Sequence, residues 1–250
     1  IIELISTMLL FLVLLRQKAN RYDILNFHIA YPNLTYWHYL KKVFRTHAII
    51  TEHWSAYHFH FNVDRALPRI QRIFKQDIPL IAVSQSLATD VKIFSQSEFP
   101  IYIVPNVVKP NFEIDTSVVR NQGQFFMVAQ WKYPKQPLIV IDAFKRLVDT
   151  HSTCRLIIAG YGPQWEDIEK ATEGIEQISL LGKLCASEIA TQMRMASAYL
   201  HPSNYETFSV VCAEAITVGC PVIASSVGGI PEFINKDNGI LIEKNNADSF

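Results

Sequence analysis

Two carboxylates carry the first chemical signal in this chain. Glu206 and Glu214 stand eight positions apart in the run from Ser203 to Glu232. From Thr207 to Val218 nearly every residue is apolar or small, so a helix there is covered on most of its sides. A carboxylate in such a helix is costly unless a polar group meets it, so Glu214 requires a partner. A helix that opens just after Glu206 aims its free N–H groups at whatever Glu206 faces. That arrangement suits an anion, phosphate above all. A second cluster, His53, His58 and His60, crowds one aromatic-rich stretch. Three histidines invite a metal reading, but nothing nearby suits a fourth ligand, and packing is the preferred reading. No Asp-x-Asp occurs in the chain, which argues against a metal-bridged pyrophosphate site of that kind.

These residues must be held by elements, and the elements alternate. In the first half, strands are expected at 22–28, 48–51, 78–83 and 101–104, with helices at 36–44, 64–75 and 86–94 between them. The stretch 107–123 is irregular, with Pro110, Asn111, Asn121 and Gly123, and reads as a linker. A second series follows. Strands are expected at 125–129, 155–159, 177–181, 198–200, 221–224 and 239–242, and helices at 137–148, 164–171, 187–195 and after Glu206. The strands are short continuous apolar runs, which favours parallel sheets buried on both faces. Two such series split by a linker imply two doubly wound α/β domains, 1–117 and 118–250, with ligands at the carboxyl ends of the strands.

Composition narrows the classes. The 23 Lys and Arg balance the 23 Asp and Glu, so bulk nucleic-acid binding has no support. Cys154, Cys185, Cys212 and Cys220 are scattered in apolar surroundings without a Cys-x-x-Cys, as in a reduced cytosolic protein. Asn33-Leu34-Thr35 is a glycosylation sequon without meaning in that setting. The apolar run Met8–Leu15 lies between Glu3 and Arg16 and falls short of the roughly 20 residues of a membrane span. No positive charge precedes it, against a signal peptide. A buried helix is the preferred reading, a membrane-lying segment the alternative. Arg65, Arg69 and Arg72 share one face of the helix expected at 64–75. That face is either solvated or a peripheral contact with an anionic membrane. The chain opens on Ile1 and stops at Phe250 within an apparent helix start, and is read as a fragment.

Gly160-Tyr161-Gly162-Pro163 sits between a strand and a helix, but Trp165 stands where a dinucleotide fingerprint wants its third glycine. It is either a weak phosphate loop or a plain turn.

The run Pro202-Ser203, Glu206, Phe208, Glu214, Gly219, Pro221-Val222 and Gly228-Gly229-Ile230-Pro231-Glu232 resembles the signature of family 4 of the retaining glycosyltransferases. That signature reads Pro-Ser-x-x-Glu-Gly-Phe-Gly, then a second Glu eight after the first, then Gly-x-Pro-Val and Gly-Gly-x-Pro-Glu. The stretches Asp23–His28, Thr51–Trp54, Val104-Pro105-Asn106 and Ile158–Pro163 follow the same order, so the resemblance runs over about the whole chain. It implies the GT-B fold: α/β, two Rossmann-like domains facing a cleft, the N-terminal one incomplete and the closing C-terminal helices absent.

The resemblance also implies roles. Glu206 would face the donor sugar and Glu214 the ribose. The backbone amides of Thr207, Phe208 and Ser209 would hold the diphosphate and sugar hydroxyls. His53 would contact the sugar, and the base would rest near Leu184. Lys135 matches the family's diphosphate lysine, and Gln130 stands where the family has an arginine. Lys132 is a candidate to supply the missing charge, but points elsewhere if the strand continues. Gly162 joins the donor-binding set. Thr207 and Ser209 replace two glycines of the signature and narrow the space beside the sugar.

The implied activity is hexosyl transfer from a nucleotide sugar to a saccharide or lipid-linked acceptor, without metal or cofactor. It would serve cell-surface polysaccharide synthesis in the cytoplasm, free or peripheral to the inner face of the membrane. The alternatives are a catalytically degenerate scaffold of the same fold and a GT-B epimerase.

Overall fold

The computed structural model describes residues 2–62 and 67–250. Arg65, one of the three arginines considered for membrane contact, lies outside the described residues. The chain divides into two compact units, Ile1–Pro105 and Asn106–Phe250.

The first unit begins with α1 (Ile2–Arg16), followed by β1 (Ile24–His28), α2 (Trp37–Phe44), β2 (His47–Glu52), α3 (Leu67–Phe74), β3 (Leu80–Ala82), α4 (Gln85–Ser95) and β4 (Ile101–Ile103). Its four strands are parallel in the order β1-β2-β3-β4. Ser84 caps α4 by accepting the Leu87 N–H, the usual device for a helix that follows a strand. Glu52, at the end of β2, is fully buried. It accepts the Ala30 N–H at 2.7 Å and the Tyr57 hydroxyl, which ties the turn after β1 to the segment after β2. Burial raises the Glu52 carboxyl above its ordinary value.

On α3 the apolar positions Ile70, Ile73 and Phe74 are buried. Arg69 is committed to Glu3 at 3.2 Å. The expectation of a buried helix at Met8–Leu15 is not met. Leu4, Ile5, Met8, Leu9, Leu12, Val13 and Leu15 of α1 are each about half exposed or more. Among the described residues α1 is held along a narrow stripe, with Leu14 buried and Phe11 against Phe44 at 5.7 Å. Among the described residues no helix is long and apolar enough to cross a membrane.

The second unit contains β5 (Asn121–Gln130), α5 (Pro137–Thr150), β6 (Arg155–Tyr161), α6 (Trp165–Thr172), β7 (Ile178–Gly182), α7 (Ala186–Met195), β8 (Ala196–His201), α8 (Val210–Thr217), β9 (Val222–Ser225) and β10 (Gly239–Ile242). All six strands are parallel, in the order β10-β9-β8-β5-β6-β7. The chain starts in the middle, winds one way through β6 and β7, then returns past β5 to β8. That is doubly wound Rossmann topology, and its switch point falls between β5 and β8.

Strand alternation sends side chains to opposite faces, and both faces are covered. Phe126 and Val128 pack with Met193, Cys212 and Ala215 on the side of α7 and α8. Met127 packs with Val140, Ile141, Phe144 and Ile168 on the side of α5 and α6. This two-sided burial is the reason the strands read as continuous apolar runs.

The compact units part after Pro105, twelve residues before the boundary expected at 117. The reason is Phe112. It is 2% exposed and sits in the core cluster of the second unit, while Arg194 donates to the carbonyls of Asn111 and Glu113 at 2.9 and 3.0 Å. The first part of the supposed linker is thus cladding for the second unit. Phe112→Ala is expected to lower the stability of that unit by about 3–5 kcal/mol, read as an earlier denaturant midpoint. An unchanged midpoint would return residues 107–112 to the role of a free linker.

Candidate active site

A cavity of about 450 Å³ opens at the carboxyl ends of β5, β6 and β8, lined among others by Gln130, Lys135, Tyr161, Leu184, Glu206 and Glu214. It lies beside the switch point, where adjacent loops leave a doubly wound sheet in opposite directions and part to make room for a ligand.

Backbone pairing holds the two principal loops together. The Gln136 N–H donates to the Pro202 carbonyl at 3.1 Å and the Asn204 N–H to the Pro134 carbonyl at 2.9 Å, and Lys135 bridges to Ser203. On its other flank the loop after β5 is tied to the loop after β6. The Trp131 N–H donates to Tyr161 at 2.7 Å and the Gln164 N–H donates to Trp131 at 3.0 Å. The Trp131 ring is buried, with its Nε1–H on the Ala159 carbonyl at 2.8 Å.

Held this way, Lys135 reaches Glu206. The ammonium donates to Glu206 Oε1, and both side chains are mostly shielded from water, at 17% and 14% exposure. Burial pulls the Lys135 ammonium down to about 8, while the Glu206 carboxylate against it works in the opposite sense. His201, at the end of β8, completes the group. Its Nε2 lies 2.8 Å from Glu206 Oε1, 3.3 Å from Lys135 Nζ and 3.2 Å from Ser209 Oγ.

Ser209 itself precedes α8 with φ 70°, in the left-handed region. Glycine adopts that backbone without cost. Serine holds it here with its hydroxyl on His201. Ser209, Val210 and Val211 line the cavity, so the N-terminus of α8, with its unpaired N–H groups, opens into it. Glu214, one turn further along α8, is half-buried on the same wall. Burial pushes its carboxyl up to about 6, and the Lys109 ammonium draws it back.

The other expected residues are placed as follows. Gln130 ends β5 and lines the cavity, as does Leu184. Lys132, expected to point elsewhere, lines it too, because β5 stops at Gln130 and the chain turns. Phe208 is buried, stacked on Phe233 at 4.9 Å; it braces the loop and is not part of the wall. Thr207 and Gly162 are likewise not among the lining residues. Gly162 has φ 138°, and a Cβ there would overlap the Trp131 backbone, so its task is close approach between two loops. His53 belongs to the first unit, directly after β2. Its ring stacks on His28, with centroids 5.4 Å apart and Nε2 at 3.2 Å from His28 Nδ1. Among the described residues no group of three His, Cys, Asp or Glu could hold a metal ion.

Sequence reasoning missed His201. Its one signal is position: it directly precedes Pro202-Ser203 at the end of an expected strand. It also missed Tyr161 and Lys183, which line the cavity with the ammonium 5.1 Å from the ring centre.

The family model described as "Glycosyl transferases group 1" matches residues 110–250, the stretch that builds this site. The chain belongs to the group 1 glycosyl transferases. An uncharacterized glycosyltransferase of Methanocaldococcus jannaschii is 28% identical over 188 residues, 68% of this chain and 48% of that protein. The gpi3 subunit of phosphatidylinositol N-acetylglucosaminyltransferase from Schizosaccharomyces pombe is 30% identical over 139 residues, 54% of this chain and 30% of that protein. The chain thus spans about half or less of the curated relatives it matches. Among solved structures, Anabaena HepE in complex with UDP superposes with a TM-score of 0.77 at 20% identity, covering 93% of this chain and 68% of that one. The likeness establishes a GT-B-type α/β fold for this group 1 member.

The family's paired glycines have a local cause here. Gly228 has φ 56°, and a Cβ on it would overlap the Glu206 carbonyl, which also accepts the Gly229 N–H at 3.0 Å. Gly228→Ala is therefore expected to lower stability by about 1–3 kcal/mol from backbone strain alone and to displace Glu206. Thermal melting and a crystal structure would check both effects, and an unmoved Glu206 would refute the second.

Proposed function

We propose that this chain binds a nucleotide sugar and transfers its glycosyl group, with retention of configuration, to a saccharide or lipid-linked acceptor. The observation that carries the reading is a buried lysine and a helix N-terminus converging on one cavity that also holds two carboxylates. The leaving group of such a transfer is a diphosphate, and stabilising its developing charge is the main demand on the site. Lys135 and the N–H groups opening α8 meet that demand without requiring a metal. Glu214 accepts the ribose hydroxyls, Leu184 borders the base, and Glu206, oriented by Lys135, holds the sugar. Gln130 and Lys132 add polar contacts at the mouth. His53 is assigned the sugar hydroxyls on the strength of the resemblance alone.

The matched relatives lend support from their own names: the Schizosaccharomyces protein is a phosphatidylinositol N-acetylglucosaminyltransferase subunit, and a HepE structure contains UDP-glucose. A role in cell-surface polysaccharide or glycolipid synthesis, in the cytoplasm with peripheral membrane contact through Arg65, Arg69 and Arg72, is part of the same proposal; Arg69 keeps 61% of its side chain exposed beside its contact with Glu3.

A screen of nucleoside diphosphates for thermal stabilisation tests the donor site, since a ligand that binds only the folded form raises the melting temperature. Lys135→Ala is expected to cut kcat/KM on the order of 10²-fold, much more than it loosens the fold, although it leaves the Glu206 carboxylate without its partner. Glu214→Ala should weaken binding of the free nucleoside diphosphate in calorimetry. Nucleotide binding without donor hydrolysis or transfer would favour the degenerate scaffold, for which Gln130, Thr207 and Ser209 are the sequence support.

The same groups set a pH dependence. Glu214 must be ionised to accept ribose hydroxyls, and its pKa is raised to about 6 by burial. Lys135 must be charged, and its pKa is lowered to about 8 by burial. The profile of kcat/KM for the donor reports the free enzyme. It should fall as the pH drops below the first value and again as it rises above the second. A flat profile across that window would remove one or both residues from donor binding.

A further inference from the structure

Resting on the donor-site reading, we propose that His201 is a positioning residue of this site: an imidazole locked with its proton on Nδ1, whose Nε2 lone pair holds one Lys135 N–H and so aims the ammonium at the cavity. Nothing in the family match or in the sequence assigns this residue a role.

The tautomer follows from one proton. Tyr199 and His201 are two apart on β8 and share a face. Both are buried, at 0% and 2% exposure. The Tyr199 hydroxyl lies 2.9 Å from the Val128 carbonyl, which can only accept. The hydroxyl has a single hydrogen, which goes there. At 3.2 Å from His201 Nδ1 the same oxygen can then only accept. Nδ1 therefore carries a hydrogen, and in the neutral ring Nε2 carries the lone pair.

Three groups surround that lone pair: Lys135 Nζ from the loop after β5, Glu206 Oε1 from the loop after β8, and Ser209 Oγ at the mouth of α8. Cys212, the other titratable group packed beside them on α8, is a thiol held protonated by burial. A carboxylate oxygen and a lone pair in contact repel each other, and the Lys135 ammonium relieves this by donating to both. An ammonium has three N–H donors. Glu206 takes one, His201 takes a second, and the third is left for an anionic oxygen in the cavity. Burial and the neighbouring Lys135 charge both disfavour a proton on Nε2 and hold His201 well below its ordinary pKa.

The test has two arms. Nitrogen–proton correlation NMR on the wild-type chain reads the tautomer without ligand. The expected result is Nδ1 protonated and Nε2 bare at neutral pH. A protonated Nε2 throughout, bonded to Glu206, would overturn the proposal. In the second arm, inorganic pyrophosphate binding is measured by calorimetry on wild type, His201→Leu and His201→Gln. The leucine removes the acceptor, and affinity should fall about tenfold. The glutamine restores an acceptor oxygen near the Nε2 position and should recover most of the affinity. A folded leucine variant that binds as wild type does, or a glutamine variant as weak as the leucine one, overturns the positioning role. Should the leucine variant not fold, the wild-type tautomer and the glutamine variant decide. If wild type itself binds no pyrophosphate or nucleoside diphosphate, the donor-site reading falls, while the NMR arm still decides how His201 is held.

Discussion

The contact between Lys135 and Glu206 is the point on which the site depends, and the surrounding structure reads as the means of making it. The two residues are 71 positions apart, on loops that leave β5 and β8 on either side of the switch point. Burying such a pair brings little net stability, because the desolvation of both charges consumes most of their attraction. Its value is orientation. A lysine chain is long and flexible, and the carboxylate on one side and the imidazole on the other leave the ammonium one direction in which to serve a ligand. Solvent would otherwise screen it, and the side chain would sample many rotamers.

That constraint explains several features with no chemistry of their own. The loops after β5, β6 and β8 are stitched largely by main-chain hydrogen bonds, which fix their spacing. The stitching demands close approach, which is why glycine stands at Gly160 and Gly162 against Ala129 and Trp131, and at Gly228 against Glu206. Trp131 fills the volume beneath, and Phe208 on Phe233 braces the loop that carries Glu206. The residues that resemble a family signature are thus of two kinds. Glu206, Glu214 and Lys135 face the cavity. Phe208, Gly162 and the paired glycines hold the backbone that presents them.

The first unit follows the same rules with different emphasis. Its parallel strands end in a cluster of histidines and aromatics, and a buried glutamate, Glu52, ties two of the connecting segments. The histidines there, which invite a metal reading when seen as a list, are engaged with rings and carboxylates: His53 on His28, and His58 on Asp90 at 3.2 Å.

What the sequence determined alone was the succession of elements and the identity of the principal polar residues. Apolar runs of strand length, and helices with one apolar face, are local patterns, and local hydrophobic periodicity decides them. Glu206 and Glu214 stood out because a carboxylate among small apolar residues is costly anywhere. What tertiary structure decided was adjacency. Strand order brings the loop after β5 beside the loop after β8, and no local pattern states that order. For the same reason Lys132 turned out to line the cavity, Phe112 to belong to the second core, and the Phe208 ring to brace its loop. His201 had only its position before Pro202-Ser203 as a signal in the sequence, and a histidine at a strand end is commonplace. Its meaning comes from a tyrosine hydroxyl with one proton to give and a lysine with three, and only the folded chain brings them into contact.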